Sequence, residues 1–416
     1  IELLRHRALL LVLDNLEQIG GAAPLIATLL AECPGVTVLA TSRERLHLRA
    51  EQRCKVPSLE LSAAVDLFVQ RAQAIEADFS LTPHNRPTLE AICQRLDRLP
   101  LALELCATQI ELFSPAQLLA ELQVNPLNLL VDGALDLPPQ HRTLRLAIGR
   151  SYALLQPEER LLFRCLGVFV GDFDLEAIEA VSDWRQEAGS HLLHATLHAL
   201  INKSLVRTEI QATDITAIVP QRFRLLETIR EFACEQLTAN GEAQTAQKRH
   251  ADYYNRMAAA ADNHTDQHTL DALFAQLEVA NPNFRAALRW LIDQQSSDCL
   301  RMASSLKFFW FTRGYVSEGR NWLLAALKAV PEMTVDSARA WLDLANLAQI
   351  QDDIDEAEVY ANQASQIYQA LNDSDGIVYA SSTLGWIKHG AQRYQEAEEI
   401  FGVGLRSLAP TGNQLL

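Results

Sequence analysis

The sequence predicts a mainly α fold with an α/β part at its N-terminus and an array of helical hairpins at its C-terminus. Three observations lead there. Two short, uninterrupted apolar runs, Leu9–Leu13 and Val36–Ala40, flank a helical stretch near the start. From Leu61 onward apolar residues recur at helical spacing, broken mainly by one pair of short strand-like segments. Toward the end, one helical pattern returns at an offset of 40 residues.

The first region, residues 1–57, runs from Leu9–Leu13 through a helical Pro24–Leu30 to Val36–Ala40. This rhythm predicts neighbouring parallel strands joined by a crossover helix. Both strand runs are unbroken rather than alternating, so they are expected to be covered on both faces. Residues 58–137 form the next region, helical throughout from Ser62 to about Leu130. One helix begins at Leu61-Ser62-Ala63-Ala64 with Ser62 as its N-cap, and another runs from Thr88 with Leu89, Ile92, Cys93 and Leu96 on one side. Asp132–Pro139, with a glycine and prolines, reads as a linker.

Residues 138–236 combine an amphipathic helix, Leu193–Lys203, with two strands, Ser204–Thr208 and Arg222–Leu226, around a polar loop. Helices followed by a small hairpin is the plan of a winged helix. Residues 237–297 form a helical connection, and residues 298–416 hold the repeats. Leu344-Ala345 and Ile354-Asp355-Glu356-Ala357 are echoed by Leu384-Gly385 and Tyr394-Gln395-Glu396-Ala397, with a weaker copy at Val316-Ser317-Glu318-Gly319. Small residues at fixed helical positions let antiparallel helices approach closely, the basis of TPR hairpins. The offset exceeds the usual period of about 34, so extended turns are expected.

Composition excludes several classes. At 416 residues the chain exceeds a single core, and 49% hydrophobic with 21% charged residues is ordinary globular composition. The apolar stretch Ala8–Leu13 is far too short to span a bilayer, and no export segment is visible. A cytoplasmic protein without membrane contact is expected. The seven cysteines are scattered and form no CxxC pair, which points to reduced, buried thiols rather than zinc or disulfides. A net charge of −16 with no basic run argues against direct DNA binding by this region.

Three segments could carry chemistry. Leu9-Leu10-Leu11-Val12-Leu13-Asp14-Asn15 is a strand that delivers an acid to a sheet edge, which is how a carboxylate reaches the magnesium of a bound nucleotide. Alone, it could equally be a strand ending in an Asp-Asn turn. Val36–Ala40 is followed by Thr41-Ser42-Arg43-Glu44, where an arginine could read a terminal phosphate or simply cap the next segment. Leu99-Pro100-Leu101-Ala102 places a proline where a helix starts.

In this order and spacing, the three resemble the NB-ARC branch of the STAND signalling ATPases. Leu10–Asn15 matches the Walker B segment, Ala40–Arg43 the sensor-1 segment and Leu99–Ala102 the GLPLA motif. Leu200-Ile201-Asn202-Lys203-Ser204-Leu205-Val206 and the stretch from Phe223 to Ala233 resemble winged-helix segments of bacterial LuxR- or SARP-type regulators. Asn281-Pro282-Asn283-Phe284-Arg285-Ala286-Ala287-Leu288-Arg289-Trp290 is similar to the helix leading into their repeats. The resemblance implies a partial P-loop NTPase parallel sheet, a helical lid, a winged helix and a TPR-like α-solenoid. It also implies that Asp14 holds Mg²⁺, Arg43 reads the terminal phosphate and Pro100 lies against the adenine. The intact parent would then switch between ADP and ATP, as a slow ATPase and a transcriptional regulator. A protein or small-molecule inducer would act at the repeats, and a nucleotide-dependent homo-oligomer could form.

Departures from the family pattern are equally specific. No GxxxxGK[ST] loop occurs in the chain, so truncation upstream of Walker B is expected. The chain itself is then expected to be inactive and to bind no nucleotide. More repeats are expected beyond its C-terminus. Arg98 stands at the family's GLPLA glycine, and Asn15 where relatives carry a second acid; Glu17, two residues on, could substitute as a base. The MHD histidine is absent, its segment aligning with Leu225-Leu226-Glu227. His191, His194 and His198 share a helix face, read as partly buried structural histidines rather than a metal site. Phe308, Phe309, Trp310 and Phe311 read as packing between repeat helices. The alternative function is a nucleotide-independent TPR interaction scaffold.

Overall fold

The structure is a computed structural model that describes residues 1–2, 4–14, 16, 22–42, 45–46, 48–49, 51–124, 144–182, 189–209, 221–262 and 270–408. The chain divides into two compact units, Ile1–Ala243 and Gln244–Leu416. The described residues are mostly helical, with two small sheets among them.

The first unit opens with β1 (Leu9–Leu13), α1 (Ala22–Glu32) and β2 (Val36–Ala40). The strands pair in parallel, with Leu9 opposite Val36 and Leu13 opposite Ala40. Side chains alternate along a strand, so Leu13, Val38 and Ala40 turn toward Ile26 and Leu30 of α1. The other face is open: Leu10, Val12 and Leu39 are each more than half exposed. This corrects the expectation of strands covered on both sides. One crossover helix can cover only one face.

Next come α2 (Leu61–Ile75), α3 (Arg86–Arg95), α4 (Pro100–Ala107) and α5 (Pro115–Val124). Val65 and Phe68 of α2, Leu89 and Ile92 of α3, and Leu103 of α4 are fully or almost fully buried. A proline stands in the first turn of α3 and of α4, where its missing N–H leaves no helical bond unmade. Ser62 is not the N-cap of α2; Glu60 holds that place without a side-chain cap bond. The expected linker Asp132–Pro139 lies outside the described residues.

The third segment contains α6 (Leu144–Ala153), α7 (Pro157–Leu166), β3 (Asp172–Phe173), α8 (Leu175–Ser182), α9 (Gly189–Asn202), β4 (Arg207–Glu209), β5 (Arg222–Arg224) and α10 (Glu227–Ala239). The expected hairpin is present as β4 and β5, and β3 adds a third antiparallel strand on the far side of β5. Phe169 and Phe173, both almost fully buried, stack at 4.5 Å beside this sheet. His191, His194 and His198 are exposed, not partly buried.

Among the described residues, the second unit has helices and no strand. It contains α11 (Ala243–Asp262), α12 (Leu270–Asp293), α13 (Asp298–Ser305), α14 (Lys307–Arg313), α15 (Val316–Ala329), α16 (Val335–Ile350), α17 (Ile354–Leu371), α18 (Ser374–Gly390) and α19 (Tyr394–Leu408). A buried hydrogen bond, His250 Nε2 to Asn283 Oδ1 at 3.1 Å, ties α11 to α12. Asn283 belongs to the Asn-Pro-Asn-Phe segment, so that segment has a structural task here.

The repeated small residues do what their spacing predicts. Ala345 and Ala357 are fully buried, and a Cβ on Gly385 would come within 2.5 Å of the Phe401 ring. A second regularity was not anticipated. The glutamate just before each small residue meets a cation from a neighbouring helix: Glu318 with Arg285 at 2.6 Å, Glu356 with Arg320, and Glu396 with Lys388 at 2.8 Å. Phe309 and Trp310 pack inside as expected, whereas Phe308 and Phe311 are roughly half exposed. Among the described residues no helix is long and apolar enough to cross a membrane.

Candidate functional site

Asp14 is the first residue beyond the carboxyl end of β1. Because β2 runs parallel, Thr41 emerges at the same edge. The Thr41 amide donates to the Leu13 carbonyl at 2.9 Å, and the Leu16 amide donates to the Thr41 carbonyl at 3.1 Å. These two bonds fix the backbone on either side of Asp14. The Thr41 hydroxyl then donates to Asp14 Oδ1. Both side chains face solvent. The result is an oriented, accessible carboxylate with a hydroxyl beside it, an all-oxygen pair of the kind hard cations prefer. Among the described residues no three or more histidine, cysteine, aspartate or glutamate side chains gather as a metal cage, so a cation here would need waters or phosphate oxygens to complete its shell. Glu17 and Arg43 lie outside the described residues, as does Asn15.

Pro100 belongs to a different element. It is the first residue of α4, with an exposed ring. The turn before it is unusual: Asp97 and Arg98 both take left-handed backbone conformations, with φ of 53° and 55°. Such angles suit glycine and strain a residue with a Cβ. The family pattern puts glycine at Arg98, and the local backbone is the one that glycine would accept. The Arg98 carbonyl accepts from the Leu59 amide at 3.2 Å, which holds the turn in place.

That turn also meets the winged-helix segment, through residues that sequence reasoning missed. Asp97 Oδ2 accepts from the Glu227 amide at 2.7 Å, capping the first turn of α10. Arg95 donates to Glu227 at 2.7 Å and to Glu231 at 3.1 Å, across 132 and 136 residues of sequence. Its Nε also reaches the Leu122 carbonyl at the end of α5, at 3.3 Å. Arg230 holds Glu227 from the other side, at 2.6 Å. No local motif announces these contacts. The one available signal was the alignment of Leu225-Leu226-Glu227 with the MHD segment of the family pattern.

Comparison with known proteins adds two domain assignments. Residues 155–238 match the family described as the winged helix-turn-helix domain, and residues 336–408 match the tetratricopeptide repeat. A protein of Mycobacterium tuberculosis H37Rv named as an HTH-type transcriptional regulator is 37% identical over 355 residues, covering 82% of this chain and 39% of the relative. A Mycobacterium bovis protein of the same description matches equally. An uncharacterized M. tuberculosis protein is 35% identical over 236 residues, covering 56% of this chain and 58% of that one. The chain thus spans about two fifths of the length of the first two relatives. A solved STAND protein with a tetratricopeptide repeat sensor from Pyrococcus horikoshii covers 97% of this chain and 68% of its own, at 12% identity and a TM-score of 0.27. A likeness that slight bears on neither fold nor function.

Proposed function

We propose that this chain is part of a nucleotide-switched transcriptional regulator of the NB-ARC type within the STAND group, with its TPR-like repeats as the sensing or partner-binding part. The observation that carries the reading is the Asp14–Thr41 pair at the carboxyl edge of two parallel strands. Its oxygen donors fit magnesium, and its exposure leaves room for a nucleotide. Magnesium, when bound with a nucleotide, supplies charge that offsets the phosphates. Asp14 would hold it directly or through water, with Thr41 keeping the carboxylate oriented. The phosphate cradle would come from sequence outside this chain, since none of its segments has the GxxxxGK[ST] pattern. Arg43, Glu17 and Pro100 keep their proposed roles toward the phosphates, the attacking water and the adenine. The relatives' description as transcriptional regulators supports the regulatory output.

Calorimetry with magnesium-ATP and ADP, on the protein in its full natural length, tests the reading. Binding that is lost in Asp14→Ala supports it. No heat with either nucleotide overturns it, and leaves the repeats as a nucleotide-independent interaction scaffold.

A further inference from the structure

The contact between residues 58–124 and the winged helix places more acid than base in a partly buried space. Asp97, Glu227 and Glu231 face Arg95 and Arg230. Among the neighbouring charges, Arg207 offsets part of the excess from a distance. Arg224 is engaged by Asp172, and Glu235 by Arg145. Arg207 reaches Ser58 at 3.4 Å and stands near Asp97 without a hydrogen bond to it. Glu227 and Glu231 therefore share two guanidinium groups, while Asp97 bonds an amide instead.

A second observation locates the surplus. Glu231 uses Oε1 for Arg95, while its Oε2 is buried with no hydrogen-bond partner. A bare carboxylate oxygen in that position is costly, and a protonated carboxyl, being neutral, costs less. We propose that this contact is a proton-linked latch: closing residues 58–124 on the winged helix takes up protons at Glu231 and Asp97, and losing them loosens it. The proposal uses no nucleotide, so it stands or falls apart from the functional reading above.

The direction of the linkage follows from the surroundings. Burial, with Glu227 and Glu235 alongside, pushes the Glu231 carboxyl up to about 8, against the pull of Arg95 and Arg230. Burial and Glu227 push Asp97 up to about 6, although it caps an amide and sits near Arg207 and Arg224. Glu227 goes the other way: burial raises it, but Arg230 and Arg95 outweigh burial and hold it below the usual carboxylate range. For Glu231 and Asp97 the closed state binds protons more tightly than the open state does. Closure is then favoured at low pH and weakened as pH rises, through about 6 for Asp97 and about 8 for Glu231. Glu227 opposes this trend only below the ordinary carboxylate range.

Amide hydrogen exchange on the full chain without nucleotide reads the latch directly. After correction for intrinsic exchange rates, protection of the 227–231 amides should fall more than about tenfold between roughly pH 5.5 and pH 8.5. Glu231→Gln, which mimics the protonated carboxyl, should keep the protection at high pH and leave less than about a threefold change. A flat wild-type profile would overturn the proposal. So would a Glu231→Gln profile as steep as the wild type's, since a merely structural glutamate would not move the pH dependence.

Discussion

The hydroxyl of Thr41, one residue past β2, donates to the carboxylate of Asp14, one residue past β1. Two residues that follow different strands thus form one feature at the sheet's carboxyl edge. Replacing Asp14 by Ala is expected to weaken magnesium-ATP binding by the full-length protein more than tenfold, roughly the loss of one charged contact. Thr41→Val keeps the carboxylate but removes its donor, so a loss of about three- to tenfold is expected. Titration calorimetry ranks the two. Equal affinities for both variants and wild type would remove the pair from the binding site.

Arg98 offers a test in the opposite direction. Its left-handed backbone predicts that Arg98→Gly is neutral or stabilising by up to about 1 kcal/mol. Arg98→Val should destabilise by about 1–2 kcal/mol, since a β-branched residue tolerates that φ least. Thermal denaturation of the two variants against wild type gives the ordering.

His250 should make the repeat unit acid-sensitive. Burial outweighs its bond to Asn283 and brings its pKa down to about 4. The folded state resists a proton that the unfolded chain accepts near pH 6.5. Stability is therefore complete above about pH 6.5 and falls as pH drops toward 4, by about 3 kcal/mol in all. His250→Gln, which cannot titrate, should flatten that part of the stability curve. A wild-type curve already flat from pH 7 to 4 would exclude a buried neutral histidine.

Gly385 tests the repeat packing. A valine there would push into the Phe401 ring and should cost about 1–3 kcal/mol. Phe401→Leu in the same chain should recover part of that loss. A double-mutant cycle with no coupling would mean that the two helices do not meet at this point.

The sequence carried much of this architecture because local periodicity is a local property. Apolar runs of five placed β1 and β2 at their observed limits, and the small-residue offset of 40 placed the last hairpins. Asp14 was legible because a strand's end presents its next residue at the sheet edge. The two-residue β3 was not, since a stretch that short has no period. Nor was the open face of the first sheet: an unbroken apolar run does not say how many layers cover it.

What the amino-acid order determined by itself was the type and sequence of the elements, the close helix approach in the repeats, and the acid at the end of the first strand. Tertiary structure alone decided that Thr41 orients that acid, that Asp97 caps a helix starting at Glu227, and that Arg95 divides its charge between two glutamates. The physical reason is range. Backbone preference and hydrophobic period act over a few residues, whereas hydrogen bonds and ion pairs act only between atoms that folding has already brought together.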